Sequence, residues 1–113
     1  MALPHPIPED LAELVARRFR VLSEPMRIRL LDHLRAGEAT VGELSDALDA
    51  SQQNVSKHLA VLAEAGMLGR RKDGNRVYYR IVDETVFSLC EQVCGGAVRR
   101  LRALHDLVEG VNV

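Results

Sequence analysis

Apolar residues recur along most of this chain at three- and four-residue intervals, and polar breaks cut the pattern into five helices and one hairpin. Leu11, Leu14, Val15, Phe19 and Leu22 form the first stripe, with Arg18 among them. That spacing places residues on one helix face and predicts a helix to about Val21. Glu9 and Asp10 stand at its start, where acidic side chains favour the positive end of the helix dipole. Ser23-Glu24-Pro25 breaks the stripe and opens a second helix, with Ser23 as cap and Pro25 in its first turn. Ile28, Leu30, Leu31 and Leu34 fill that helix, and Gly37 ends it. Thr40 and Glu43 make a capping-box pattern for a short third helix whose Val41, Leu44 and Leu48 face inward. Asp49-Ala50 is a tight turn without the usual glycine, and it leads into a fourth helix from the cap Ser51 to Gly66.

The fourth helix is divided in character. Val55, Leu59 and Leu62 supply an inward face, while Gln52, Gln53, Asn54, Ser56, Lys57 and His58 crowd its start. Gln and Asn match adenine edges in a bidentate way, and Lys and His reach guanine or phosphate. Two helices joined by a short turn, the second polar at its start, form a helix-turn-helix pattern. The alternative for this face is an ordinary solvated helix.

After Gly66 the period changes to that of strands. Asp73-Gly74-Asn75 separates two strand-like runs, and Asp-Gly in that setting is a hairpin cue. Arg71, Lys72, Asn75 and Arg76 lie at the tip, as in a wing that touches phosphate or the minor groove. A plain edge hairpin with solubilising charge is the other reading, although the basic residues here cluster. Asp83 caps a last helix from about Glu84 to Val108. Its Val86, Cys90, Val93, Ala97, Leu101, Leu104 and Val108 form a heptad-like seam suited to a partner helix. Gly95-Gly96 interrupts that seam and permits close approach of a partner backbone, or a kink.

Composition sharpens this picture. With 113 residues, the chain is expected to form one domain over residues 9–113. An extended, mobile arm of residues 1–8, with prolines at Pro4, Pro6 and Pro8, is expected to precede it. Aromatics are 4% of the chain, so the core must be Leu/Val/Ala-rich and mostly helical. The net charge of −1 hides a gradient: residues 51–80 hold six basic and two acidic residues, and the remainder nine basic and fourteen acidic. A basic middle in an acidic chain points toward a polyanion. The start lacks a basic region followed by a long apolar run, and no stretch approaches membrane-spanning length. A cytoplasmic protein is therefore expected, and Cys90 and Cys94 should be reduced thiols rather than a permanent staple.

The segments Leu22-Ser23-Glu24-Pro25-Met26-Arg27-Ile28-Arg29-Leu30-Leu31, Ser51-Gln52-Gln53-Asn54-Val55-Ser56-Lys57-His58-Leu59, Leu62-Ala63-Glu64-Ala65-Gly66-Met67-Leu68 and Arg70-Arg71-Lys72-Asp73-Gly74-Asn75-Arg76-Val77-Tyr78-Tyr79 together resemble the ArsR/SmtB family of small bacterial winged-helix repressors. The resemblance runs from about residue 10 to 83. It implies a winged helix-turn-helix fold, mainly α with a small β-hairpin wing. It also implies a homodimer on double-stranded, palindromic operator DNA whose affinity changes when an inducer binds. The first and last helices are expected to form the dimer surface. The family's inducer sites do not carry over. Its cysteine-rich motif falls near Ala39-Thr40-Val41-Gly42-Glu43, which has no Cys. Its zinc-type site falls on Asp83, Thr85, Gly96 and Arg99, where only the aspartate matches.

What this chain offers as a sensor is Cys90, Cys94, His105, His5 and Glu109. Cys90 and Cys94 are four apart, on one helix face about 6 Å from each other. Thiolates so placed can share a soft ion such as Zn(II), Cu(I) or As(III), and histidines with Glu109 would suit Ni(II) or Zn(II). His105 lies about 16 Å beyond Cys94 along one helix, so a partner chain would have to complete such a site. The thiols are equally suited to be small apolar seam residues, and His33 to be structural. Cys90, His105 and Asp106 cannot meet on one helix as a nucleophile set. No phosphate loop, metalloprotease motif or nucleophile elbow occurs, so enzyme activity is not expected. The sequence leaves two readings of control open. One is a DNA-binding transcriptional regulator, a repressor by its resemblance, whose operator affinity is modulated by a transition metal or thiol-reactive inducer. The other is a DNA-binding module without an inducer, governed by a partner protein or by its own level.

Overall fold

The computed structural model describes residues 3–111. Helices α1 (Glu9–Leu22), α2 (Pro25–Leu34), α3 (Val41–Leu48), α4 (Gln52–Glu64) and α5 (Glu84–Val111) alternate with strands β1 (Ala39–Thr40), β2 (Leu68–Asp73) and β3 (Arg76–Ile81). The chain divides into two compact units, Met1–Asp83 and Glu84–Val113. The first unit is a winged helix-turn-helix. Before α1 the chain bends at His5, whose bond to Pro6 is cis.

Helix boundaries follow from hydrogen-bonding side chains. Ser23 closes α1 rather than opening α2: its backbone N–H and its hydroxyl both donate to the Arg20 carbonyl. Glu24 caps α2 in its place, with Oε1 accepting from the Met26 N–H at 3.2 Å, and Pro25 occupies the first turn. Thr40 and Glu43 make the expected reciprocal capping box on α3. The α3–α4 turn dispenses with glycine because Asp49 takes the left-handed conformation (φ 51°), which a short polar residue tolerates. The buried Ser45 hydroxyl donates to the Ala50 carbonyl and fixes that turn. At the end of α4, Gly66 (φ 77°) donates to Ala63 and Met67 donates to Leu62, the paired bonds of a Schellman cap.

The sheet has the order β1-β3-β2, all antiparallel. The two-residue β1, which periodicity does not reveal, pairs Ala39 with Tyr79 and Thr40 with Tyr78. In the hairpin Asp73 faces Arg76, so the loop is Gly74-Asn75, one residue later than an Asp-Gly turn would place it. Gly74 has φ 62° at the first loop position, the requirement of a type II′ turn. Gly69 serves close approach instead: a Cβ there would lie 2.8 Å from Val82 Cγ1.

The core of the first unit is most of the predicted Leu-rich set; Ile28, expected to fill α2, is exposed, and Val41 is half-buried. Leu30, Leu31 and Leu34 from α2, Leu44 and Leu48 from α3, and Val55, Leu59 and Leu62 from α4 are all buried. Met67 from the cap of α4 joins them, with Leu68 and Tyr79 from the hairpin. Helix α5 runs unbroken through Gly95-Gly96 and beyond the predicted end at Val108. Of its seam, Val86 is buried and Cys90 half-buried, while Val93, Leu101, Leu104 and Val108 are exposed. Among the described residues no helix is long and apolar enough to cross a membrane.

Candidate nucleic-acid interface

Helix α4 is anchored by Val55, Leu59 and Leu62, and that anchoring decides what its other side presents. Ser51, Gln52, Gln53, Asn54, Ser56 and Lys57 are all exposed. The Ser51 hydroxyl accepts from the Asn54 N–H at 3.1 Å, so its first task is to cap the helix. His58 departs from expectation. It is only 9% exposed, and its Nδ1 lies 3.3 Å from Arg27 Nη1. The reason is its place on the helix, one turn after Val55 and next to Leu59, where the side chain turns inward.

The wing carries Arg70, Arg71, Lys72, Asn75, Arg76 and Arg80, all exposed. Arg71 is engaged within the fold. Its Nη2 donates to Glu38 Oε1 at 2.5 Å, its Nε to Glu38 Oε2 at 3.2 Å, and its guanidinium lies 4.5 Å from the Tyr78 ring centroid. The Arg71 hydrogen bond holds the Glu38 carboxyl below its ordinary value and raises the Arg71 guanidinium above its own.

Helix α4 and the wing meet at one groove. A cleft of about 570 Å³ is lined by Gln52 and Ser56 of α4 and by Asn75, Arg76 and Val77 of the wing. Thr40, Val41, Gly42 and Glu43 at the start of α3 close its remaining side. Four residues predicted separately, two on the helix and two on the hairpin, thus border a single concavity. Sequence reasoning missed the α3 wall. The Thr40–Glu43 capping box was the available signal, since it marks a helix start beside the turn. Glu38 was missed because its partner Arg71 is reached only through the sheet.

The candidate sensor residues are dispersed. Cys90 is half-buried, Cys94 is exposed, and neither is in a disulfide. His105 Nε2 lies 3.0 Å from Glu109 Oε1, both exposed, and His5 is exposed in the arm. Asp83 is paired with Arg18 at 2.5 Å. Among the described residues no three His, Cys, Asp or Glu side chains gather into a metal-holding group. Two thiols one turn apart are half of a soft-metal donor set.

A helix-turn-helix domain model matches residues 22–70. The chain is 36% identical over 89 residues to the biofilm growth-associated repressor of Agrobacterium fabrum, covering 79% of this chain and 76% of that one. It spans less, 59%, of the SmtB repressors of Mycobacterium tuberculosis. Among solved structures, the AntR antimony-specific transcriptional repressor superposes with TM-score 0.80 at 32% identity, over 88% of this chain and 90% of that one. A homodimeric winged helix-turn-helix DNA-binding domain from Mycobacterium bovis, a possible ArsR-family regulator, superposes with TM-score 0.75 at 32% identity, over 89% and 94%. These relatives are named as transcriptional regulators, and the two solved structures share the overall fold described above. The chain belongs to the ArsR/SmtB family of winged-helix transcriptional regulators.

Proposed function

We propose that this protein is a repressor that binds a palindromic operator as a homodimer and leaves it when an inducer reaches α5. The groove shared by Gln52, Ser56, Asn75 and Arg76 carries the DNA-binding part of this reading. A phosphate strand seated there would place the exposed start of α4 against base edges and the basic wing against the flanking backbone. Gln52, Gln53, Asn54, Ser56 and Lys57 then read or position, Ser51 holds the helix start, and Lys72, Asn75 and Arg76 hold phosphate. Arg71 contributes through the geometry of the wing.

Dimerisation is supported by two exposed apolar faces, Leu14, Val15 and Phe19 on α1 and Val93, Leu101, Leu104 and Val108 on α5. The functional domain in this reading is residues 9–113, with residues 1–8 as an arm. Cys90 and Cys94 are the proposed sensor, for a soft metal or metalloid ion or a thiol-reactive compound. The half-complete donor set would draw its remaining ligand from the partner chain. His105 with Glu109, and His5, form the alternative harder site for Ni(II) or Zn(II). A thiol sensor of this kind suits the cytoplasm, where thiols are kept reduced.

The test is selection of duplexes from a random DNA library by the purified protein. An inverted repeat with half-site centres about 34 Å apart is expected. On that duplex Gln53→Ala should cost about 1–3 kcal/mol and relax specificity at one position, while Arg76→Ala should weaken all sequences and flatten the salt dependence. Two variants that bind as wild type would place the reading surface elsewhere.

A further inference from the structure

The side chain of Arg27 reaches two other helices. Its Nε donates to the Val21 carbonyl at 2.6 Å, in the last turn of α1. Its Nη1 lies 3.3 Å from Nδ1 of His58, in the middle of α4. Arg27 itself stands in the first turns of α2. We propose that Arg27 and His58 form a strut that fixes the reading helix to the end of α1, so that both are positioning residues for DNA reading and His58 makes no base contact.

The chemistry of the contact is directional. A guanidinium only donates, so His58 Nδ1 must offer its lone pair and the ring must carry its proton on Nε2. The Val21 carbonyl is one of the last four of α1, which have no partner within their own helix. One planar, rigid fork therefore satisfies a helix end and orients a buried imidazole. His58 follows Lys57 and lies one turn beyond Asn54, both on the exposed face, so a rotation of α4 at His58 displaces the reading side chains. Bidentate base contacts depend on that geometry, and phosphate contacts to long basic side chains tolerate more. Loss of the strut should therefore cost specific binding and spare non-specific binding. Helix α1 also carries the exposed Phe19, Leu14 and Val15, so movement of that face is passed to α4 through two hydrogen bonds.

This inference rests on α4 being the reading helix, and its test has one arm that needs no DNA. In ¹⁵N-histidine spectra, His58 should show an unprotonated Nδ1 that is unchanged when the selected duplex is added. In Arg27→Gln the His58 tautomers should redistribute. His58→Leu and Arg27→Gln should each lose at least about tenfold in affinity for the selected duplex, the scale of one weakened bidentate contact. Binding to a scrambled duplex should stay within about twofold of wild type, with its salt dependence kept. His58→Asn, whose Oδ1 accepts where Nδ1 does, should recover most of the loss, and melting curves will confirm that each variant is folded. A protonated Nδ1, a His58→Asn as weak as His58→Leu, or a His58→Leu that binds as wild type while Gln53→Ala is weakened would each overturn the strut. A wild-type protein that selects no duplex would instead remove the DNA reading, with the strut still judged by the spectra.

Discussion

Arg71 Nη2 lies 2.5 Å from Glu38 Oε1, which ties a cation of the wing to the residue just before β1. The same guanidinium stacks on Tyr78, its cross-strand partner. The wing is thus latched by an anion that a bound DNA strand would repel. Glu38→Gln should raise affinity for any duplex by about two- to fivefold at low salt, with the gain fading as salt screens it. Anisotropy titrations over a salt series check this; equal affinity in all salts would show that Arg71 and Glu38 never feel the DNA.

The latch also has a predictable pH range. Arg71 stabilises the charged carboxylate, so the folded pKa of Glu38 lies below the ordinary 4.5. A depressed carboxyl contributes stability above its unfolded value and loses it as pH falls through the folded one. The Arg71 side-chain signals should therefore hold constant from neutral pH down to about the ordinary carboxylate value and move only below it. A transition above that value would contradict the ion pair.

Much of this architecture is written locally. Thr40 and Glu43 announce their capping box three residues apart, and Gly66 announces a left-handed end that the bonds from Gly66 and Met67 complete. His58 was legible too, since it falls on the stripe of Val55 and Leu59, but its polarity suggested a surface role. What could not be read is what depends on distant chain. Two residues of β1 are too few to show a period, and they are strand only because Tyr78 and Tyr79 pair with them. Ser23 and Glu24 are both competent caps. The choice between them is settled because the Ser23 hydroxyl turns back to the Arg20 carbonyl.

The capping box gives a stability prediction. Thr40 Oγ1 accepts from the Glu43 N–H at 3.1 Å, and Glu43 Oε1 accepts from the Thr40 N–H at 3.2 Å. Thr40→Ala removes the first bond and should cost about 1 kcal/mol, seen as a fall of several degrees in Tm. Thr40→Ser should restore most of it. Because Thr40 also borders the groove, operator affinity should drop in Thr40→Ala even where the protein is fully folded. Full affinity in that variant would separate the α3 start from the DNA site.

Dimerisation is testable through α5 alone. Leu101 and Leu104 are 67% and 45% exposed, too apolar a pair to leave in water without reason. If a second copy covers them, each contributes roughly 1.5–3 kcal/mol to association. Leu101→Glu with Leu104→Glu should then weaken the dimer by at least about a hundredfold, read by sedimentation velocity over a concentration series. Wild type that sediments as monomer at micromolar concentration, with and without DNA, would refute the homodimer.

Control is the last expectation, and the thiols decide it. Cys94 is exposed and Cys90 half-buried on one helix, so an electrophile or soft ion can reach the first and be shared with the second. The ion can only bind thiolate, so its binding releases protons and its apparent affinity should rise with pH. An inducer shifts the DNA equilibrium only by as much as it binds the released form better than the bound one. Cys90→Ser with Cys94→Ser should therefore bind operator as wild type does yet ignore As(III), Cu(I) and thiol oxidants. Persistence of a Ni(II) or Zn(II) response in that variant would move the sensor to His105 and Glu109, whose side chains already meet at 3.0 Å. A wild-type protein whose operator binding is indifferent to metals, oxidants and persulfide alike would leave a winged-helix module governed by a partner protein or by its own abundance.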